Sequence, residues 1–113
     1  MNILKVALAA GGLGLALSSQ AACNYPSAPE ELPSGETESE EQMLAAQKTV
    51  KSYVQSMEAY LACLDQQLEA LGDEASAEQR LMHQKRYNSA VDVMDSTASE
   101  FNQAVRTYKS RTP

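Results

Sequence analysis

The sequence predicts an all-α protein: a long antiparallel two-helix hairpin with a proline-rich, extended N-terminal arm packed along it. Two apolar patterns with a seven-residue period, joined by a short turn that contains a glycine, predict the two helices. Three of the four prolines fall within residues 23–36 and predict the arm, because proline fixes φ and lacks an amide hydrogen. A chain of 113 residues holds one domain at most, which excludes nucleotide-binding α/β folds and barrels.

The first 21 residues have the pattern of a cleaved export signal. Lys5 is followed by an apolar run of 12 residues, and small residues then lead to a cleavage site after Ala21. A membrane-spanning helix needs about 20 apolar residues, so we expect no stable membrane span. The sequence therefore predicts an exported protein of 92 residues, and the loss of Lys5 changes its net charge from -6 to -7.

The arm, residues 22–36, begins beside Cys23, and a cysteine just after a signal raises the alternative of lipoprotein anchoring. Lipoprotein signals carry a large aliphatic residue three positions before the cysteine, whereas Gln20 stands there in this chain. We therefore favour a disulfide at Cys23 over a lipid anchor, and the anchor remains the alternative.

The helical unit, residues 37–113, is predicted to hold helices at about 37–71 and 76–111. Thr37 and Glu40 have the spacing of a capping box for helix one, and Ser76 and Gln79 have the same spacing for helix two. Gly72 is the predicted carboxyl cap of helix one. A turn this short requires antiparallel packing. The expected neighbours across the hairpin are Tyr60 and Tyr87, Tyr53 and Met94, and Ala46 and Phe101.

The apolar stripe of helix one is three positions wide. One row recurs every seven residues from Met43 to Leu71, and two further rows lie three and four residues after it: Ala46, Tyr53 and Tyr60, then Val54, Leu61 and Leu68. A stripe of that width needs more than one covering element. The arm is one candidate for the second element, and a second protomer in a four-helix bundle is the other.

The two cysteines are predicted to form a disulfide within one chain. From Cys63 back to Thr37 a helix covers about 39 Å, and 14 extended residues from Cys23 to Thr37 cover about 43 Å. An arm laid antiparallel along helix one, with Tyr25 and Leu32 against it, therefore brings Cys23 to Cys63. An intermolecular disulfide or two free thiols are the alternatives.

No catalytic or metal-binding pattern emerges, so the sequence predicts a protein that is not an enzyme and binds no cofactor. His83 has Gln79 and Tyr87 as its neighbours four residues away, which predicts a hydrogen-bonded or half-exposed histidine rather than a metal ligand. Polar and basic groups on helix two form the candidate partner or ligand surface: Arg86, Asn88, Asn102 and Arg106. An alternative role for the amides is to bind backbone carbonyls of the arm.

Several segments together resemble a group of small exported proteobacterial proteins of uncharacterised function, and the likeness covers nearly all of residues 23–113. The segments are Cys23 with the spaced prolines and Gly35, then residues 60–64, 86–91 and 101–106. The resemblance implies a bacterial periplasmic setting and carries no site residues.

The expected function is a non-catalytic interaction or scaffolding module of the bacterial envelope, with another envelope protein as partner. A homodimer is a further option, and the negative charge argues against nucleic acid as a partner. The alternative function is binding of a small molecule or a metal.

Overall fold

The computed structural model describes residues 22–111 of the chain. Two long helices, α1 (Glu40–Leu71) and α2 (Ala77–Ser110), are joined by a single 3-10 turn at Gly72–Glu74 and pack against each other. Residues 22–39 precede α1 and contain neither helix nor strand. The all-α two-helix hairpin is therefore confirmed, whereas the predicted signal peptide lies outside the described residues.

Helix α1 begins three residues later than the sequence predicted. Its N-cap is Ser39, whose hydroxyl accepts a hydrogen bond from the Gln42 amide at 3.1 Å. The Gln42 side-chain oxygen accepts one from the Ser39 amide at 2.8 Å. The predicted capping box of Thr37 and Glu40 is wrong, because Glu38 belongs to a separate hydrogen-bonded turn that precedes the helix.

Helix α2 starts as predicted. The Ser76 hydroxyl accepts from the Gln79 amide at 3.0 Å, and the Gln79 side-chain oxygen accepts from the Ser76 amide at 2.8 Å. The two reciprocal bonds satisfy amides that a helix start otherwise leaves without partners. The helix ends at Ser110, and Arg111 is its cap.

The core of the hairpin is divided into two apolar clusters along its length. The cluster near the hairpin's open end contains Ala46 and Phe101, and the cluster nearer the turn contains Tyr53, Tyr60 and Tyr87 together with Met94. Both clusters bring together the pairs expected across the hairpin, so the predicted register is confirmed. Met57, at the middle of α1, is fully buried.

Of the helices within residues 22–111, none combines the length and the apolarity that crossing a membrane requires.

Candidate interaction surfaces

One flank of the hairpin carries the contacts of the arm. Thr49, Ser56 and Cys63 lie seven residues apart on this flank of α1, and Thr49 and Ser56 line a cleft with Pro26 and Pro29 of the arm. Small side chains at these positions leave room for a segment to lie close to the helix. We call this side of the hairpin the arm flank.

The turn-proximal end of the arm is held by its cysteine and its tyrosine. Cys23 and Cys63 lie at disulfide distance, with their Cα atoms 5.7 Å apart. Two residues further along the arm, the Tyr25 ring meets the Tyr60 ring edge to face at a centroid distance of 5.1 Å. Edge-to-face geometry is favourable for aromatic pairs. The two contacts fix the start of the arm between the sixth and the seventh turn of α1.

The other end of the arm meets the open end of the hairpin. Leu32 packs against the core cluster formed by Met43, Val50, Phe101 and Ala104. The Glu38 carboxylate accepts hydrogen bonds from the amides of Ser34 and Gly35 at 3.1 and 2.9 Å. Desolvation opposes the charged form of Glu38, but these and other backbone amides outweigh it and lower the pKa of the carboxyl group. The Arg111 guanidinium donates to the Glu38 carbonyl oxygen, so the end of α2 is tied to the start of α1.

Tyr53 lies in the core between α1 and α2, and its ring also lines the cleft beneath the arm. Its side chain is 5% exposed, and its hydroxyl has no hydrogen-bond partner of good geometry within residues 22–111. Burial and the neighbouring Tyr25 raise the pKa of Tyr53, while the nearby Thr97 hydroxyl lowers it. Tyr53 thus supplies apolar area at the cost of one unsatisfied polar atom.

Replacement of Tyr53 by phenylalanine is expected to raise the free energy of unfolding by about 1 kcal/mol at neutral pH, because it removes that unsatisfied hydroxyl. Since the folded-state pKa is raised, the wild type should also lose stability as the pH rises above about 10, the unfolded value. Tyr53→Phe should lose less. Urea unfolding at pH 7 and pH 10.5 measures both effects, with Tyr60→Phe as the control. A Tyr53→Phe protein less stable than wild type at pH 7 would show that the hydroxyl is hydrogen-bonded.

The arm flank continues past Cys63 towards the turn as an apolar groove of about 460 Å³. We call it the turn-end groove. Leu71 and Met82 are 39% and 43% exposed in it, and Arg86 forms part of its polar wall. The remaining lining residues are Leu64, Gln67, Leu68, Ala70, Glu78, Gln79 and His83. No described residue of the arm lines it.

The opposite side of the hairpin, which we call the open flank, carries the third row of the apolar stripe. Val54 lies five residues after Thr49, and Leu61 five after Ser56, which is roughly 140° around a helix of 3.6 residues per turn. The arm therefore lies on the other flank, beside Tyr53 and Tyr60 of the stripe, and the row of Val54 and Leu61 faces away from it. Five residues form the apolar rows of the open flank: Val54 and Leu61 on α1, and Val91, Ala98 and Val105 on α2. Leu68, the next residue of the α1 row, lines the turn-end groove.

Neighbours of these rows on the two helices share a cleft near the turn: Asp65 lies four residues after Leu61, and Asn88 lies three before Val91. Asp65 of α1 and Gln84 and Asn88 of α2 line it together. His83 hydrogen-bonds Asp65 across the hairpin at 2.9 Å and is half-buried, as the sequence predicted. Within residues 22–111 no group of three or more His, Cys, Asp or Glu side chains is arranged to hold a metal ion.

The four residues of the predicted partner surface do not form one surface. Asn88 and Asn102, fourteen residues apart, lie at the edge of the open flank, whereas Arg86 lines the turn-end groove on the arm flank. Arg106 lies on the outer side of α2 and donates to Gln103 at 2.6 Å. Their alternative role as partners of the arm's carbonyls stays a prediction.

Sequence reasoning missed the turn-end groove. The signal was present in Leu71 and Met82, whose apolar side chains lie beyond the reach of an arm that starts at Cys23.

No family model, no curated protein and no solved structure matches this chain.

Proposed function

We propose that the protein is an exported, periplasmic, non-catalytic interaction module of the bacterial envelope, and that it binds an extended apolar segment of another envelope protein in the turn-end groove. The export signal and the disulfide-distance cysteine pair support the compartment. A Cys23 bonded to Cys63 has no thiol left for lipidation, which favours the disulfide over the lipid anchor.

The observation that carries the proposal is the continuity of the turn-end groove with the flank that the arm occupies. Along residues 49–63 of α1 this flank holds an extended segment of the chain itself, with the Tyr25 ring against Tyr60. Beyond Cys63 the same flank is apolar and unfilled within residues 22–111. The arm thus acts as the third element of the fold. Its own contacts with the arm flank indicate the kind of segment that fits the turn-end groove.

The length of the groove limits what it accepts. From Cys63 to Leu71 is eight helical residues, about 12 Å. An extended segment covers that distance with about four residues at 3.1 Å each. The exposed faces of Leu71 and Met82 require apolar side chains in the partner.

The charge on the wall of the turn-end groove sets the orientation of the bound segment. The mature chain is acidic, yet Arg86 stands at the end of the groove next to Cys63. A guanidinium at this place favours a carboxylate in the bound segment, either an acidic side chain or a chain terminus.

Site-specific photo-crosslinking in the periplasm tests the proposal. A crosslinker at Met82 is expected to join an apolar extended segment of one envelope protein, identified by mass spectrometry of the joined peptides. The matched control is Leu44, which is 56% exposed and lies at the opposite end of the hairpin. A synthetic peptide of the joined segment should then bind the purified protein, and Arg86→Glu should weaken that binding about tenfold or more.

The proposal is wrong if the Met82 crosslinker joins only the proteins that a crosslinker at Leu44 joins, or if the synthetic peptide binds Arg86→Glu as tightly as wild type.

The second candidate function, small-molecule binding, is favoured by the cleft beneath the arm, where Lys48 stands among hydroxyl groups. A rise of several degrees in melting temperature with one anionic metabolite, lost in Lys48→Ala, would support that candidate instead.

A further inference from the structure

The open flank is a second apolar surface of the hairpin, on the side opposite the arm flank and its turn-end groove. Its α1 row and its α2 row run side by side along the hairpin. Leu61 is buried against the core, and the other four residues are half-buried: Val54, Val91, Ala98 and Val105. Val54, Val91 and Val105 pack against the two core clusters and stay partly exposed on the outer side, since the arm contacts the other flank. Within residues 22–111 the edge of the α1–α2 core along this flank is therefore only partly covered.

The width of the stripe fits a four-helix bundle. In such a bundle each helix contacts two neighbours, and a helix with three apolar rows has the surface for both. A second hairpin, related by a two-fold axis parallel to the helices, places its α2 over α1 and its α1 over α2. Every adjacent pair of helices is then antiparallel, and both arms remain on the outside.

The charges at the edges of the open flank agree with that arrangement. Asp65 forms a hydrogen bond with His83 at 2.9 Å, so these two residues lie at the same level along the axis of the hairpin. Lys51 lies fourteen residues before Asp65 on α1, and Asp95 lies twelve residues after His83 on α2. Lys51 and Asp95 therefore lie within about 3 Å of each other along the axis of the hairpin, on opposite edges of the same flank.

The two-fold axis brings these opposite charges together. Lys51 then faces Asp95 of the partner subunit, and Asp95 faces Lys51 of the partner subunit, which gives two ion pairs. By the same register Asn88 stands opposite Glu58 of the partner subunit, so an amide meets a carboxylate.

We propose that the open flank is the interface of a homodimer, in which two hairpins form an antiparallel four-helix bundle with Lys51 paired to Asp95 of the partner subunit. This interface is independent of the turn-end groove, so each proposal stands or fails alone.

Sedimentation equilibrium of the mature, oxidised protein tests the interface. The wild type should have twice the monomer mass at micromolar concentration. Lys51→Glu and Asp95→Lys should each weaken the dimer about tenfold or more, because each turns two attractive pairs into repulsive ones. The double variant Lys51→Glu/Asp95→Lys should restore most of the affinity. Lys48→Glu, the same charge change beside the arm, should have no effect.

A second pair of variants tests the apolar rows. Ala98→Glu places a carboxylate within the interface and should give a monomer, whereas Ser99→Glu, one residue on and exposed, should leave the dimer intact. Circular dichroism confirms that both variants remain helical. A wild type that is monomeric at 100 µM overturns the proposal. So does a dimer that survives Ala98→Glu, or a charge-swapped double variant as weak as either single one.

Discussion

Replacement of Cys63 by serine is expected to lower the free energy of unfolding by about 4 kcal/mol. The bond closes a loop with a sequence separation of 40 residues, and the loss of chain entropy in the unfolded state for a loop of that length gives this magnitude. The loss is large for a protein of this kind, because a two-helix hairpin has a thin core. Urea denaturation measures the loss, and a rise in the cleavage of residues 22–36 by protease reports release of the arm.

The double variant Cys23→Ser/Cys63→Ser separates the bond from other effects of the serine. It should be as unstable as the single variant, since the bond is missing in both. Reduction of the wild type with dithiothreitol should give the same loss. Non-reducing peptide mapping should join Cys23 to Cys63 in one chain. A freely labelled Cys63 thiol in protein purified from an oxidising compartment would contradict the pairing.

The helices were predictable because their signals are local and periodic. Seven-residue spacing predicted both helices and their register, and Ser76 with Gln79 predicted the start of α2 correctly. The start of α1 was not predictable from spacing alone, because two overlapping boxes compete there. Ser39 and Gln42 form the cap, while Glu38 turns back to the amides of Ser34 and Gly35. The choice depends on Glu38, whose carboxylate accepts from amides three and four residues before it, a turn that the spacing of the capping residues does not reveal.

The side on which the arm contacts the hairpin was predictable in principle. Cys63 belongs to the row of Thr49 and Ser56, which faces away from Val54 and Leu61, so a bond at Cys63 already places the arm on the opposite flank from the third apolar row. The arm contacts Tyr60 of the stripe through Tyr25, whereas the row of Val54 and Leu61 lies at the other edge of the α1–α2 core. The width of the stripe and the position of Cys63 therefore concern different flanks.

The candidate site was less predictable than the fold, because it depends on which parts of the helix surfaces the arm leaves uncovered. Asn88 and Arg86 are two residues apart in sequence yet lie on opposite flanks of α2. Leu71 and Met82 are exposed because the arm starts at Cys23, and the tertiary contact of Cys23 with Cys63 places that start short of them. A sequence pattern gives the rows of a helix, whereas the covering of each row depends on the rest of the chain.

Gly35 is the position where the arm comes closest to α2. It is buried and has a φ of 86°, in the region that side chains other than glycine rarely adopt. A Cβ atom built there would overlap the carbonyl oxygen of Ala104 and would stand 3.0 Å from the amide nitrogen of Tyr108. Both atoms belong to the α2 backbone, so they cannot rotate away as the end of a side chain can.

Replacement of Gly35 by alanine is therefore expected to destabilise the protein by about 2–4 kcal/mol, from the positive φ and the overlap together. Gly72 provides the matched control, since its φ is also positive, at 55°, and a Cβ there meets nothing within 4 Å. Gly72→Ala should cost about 1–2 kcal/mol, the conformational part alone. Urea denaturation of the two variants isolates the overlap, and protease cleavage near residue 35 should rise in Gly35→Ala only. Equal losses in both variants would show that the arm does not approach α2 as closely as the Ala104 contact requires.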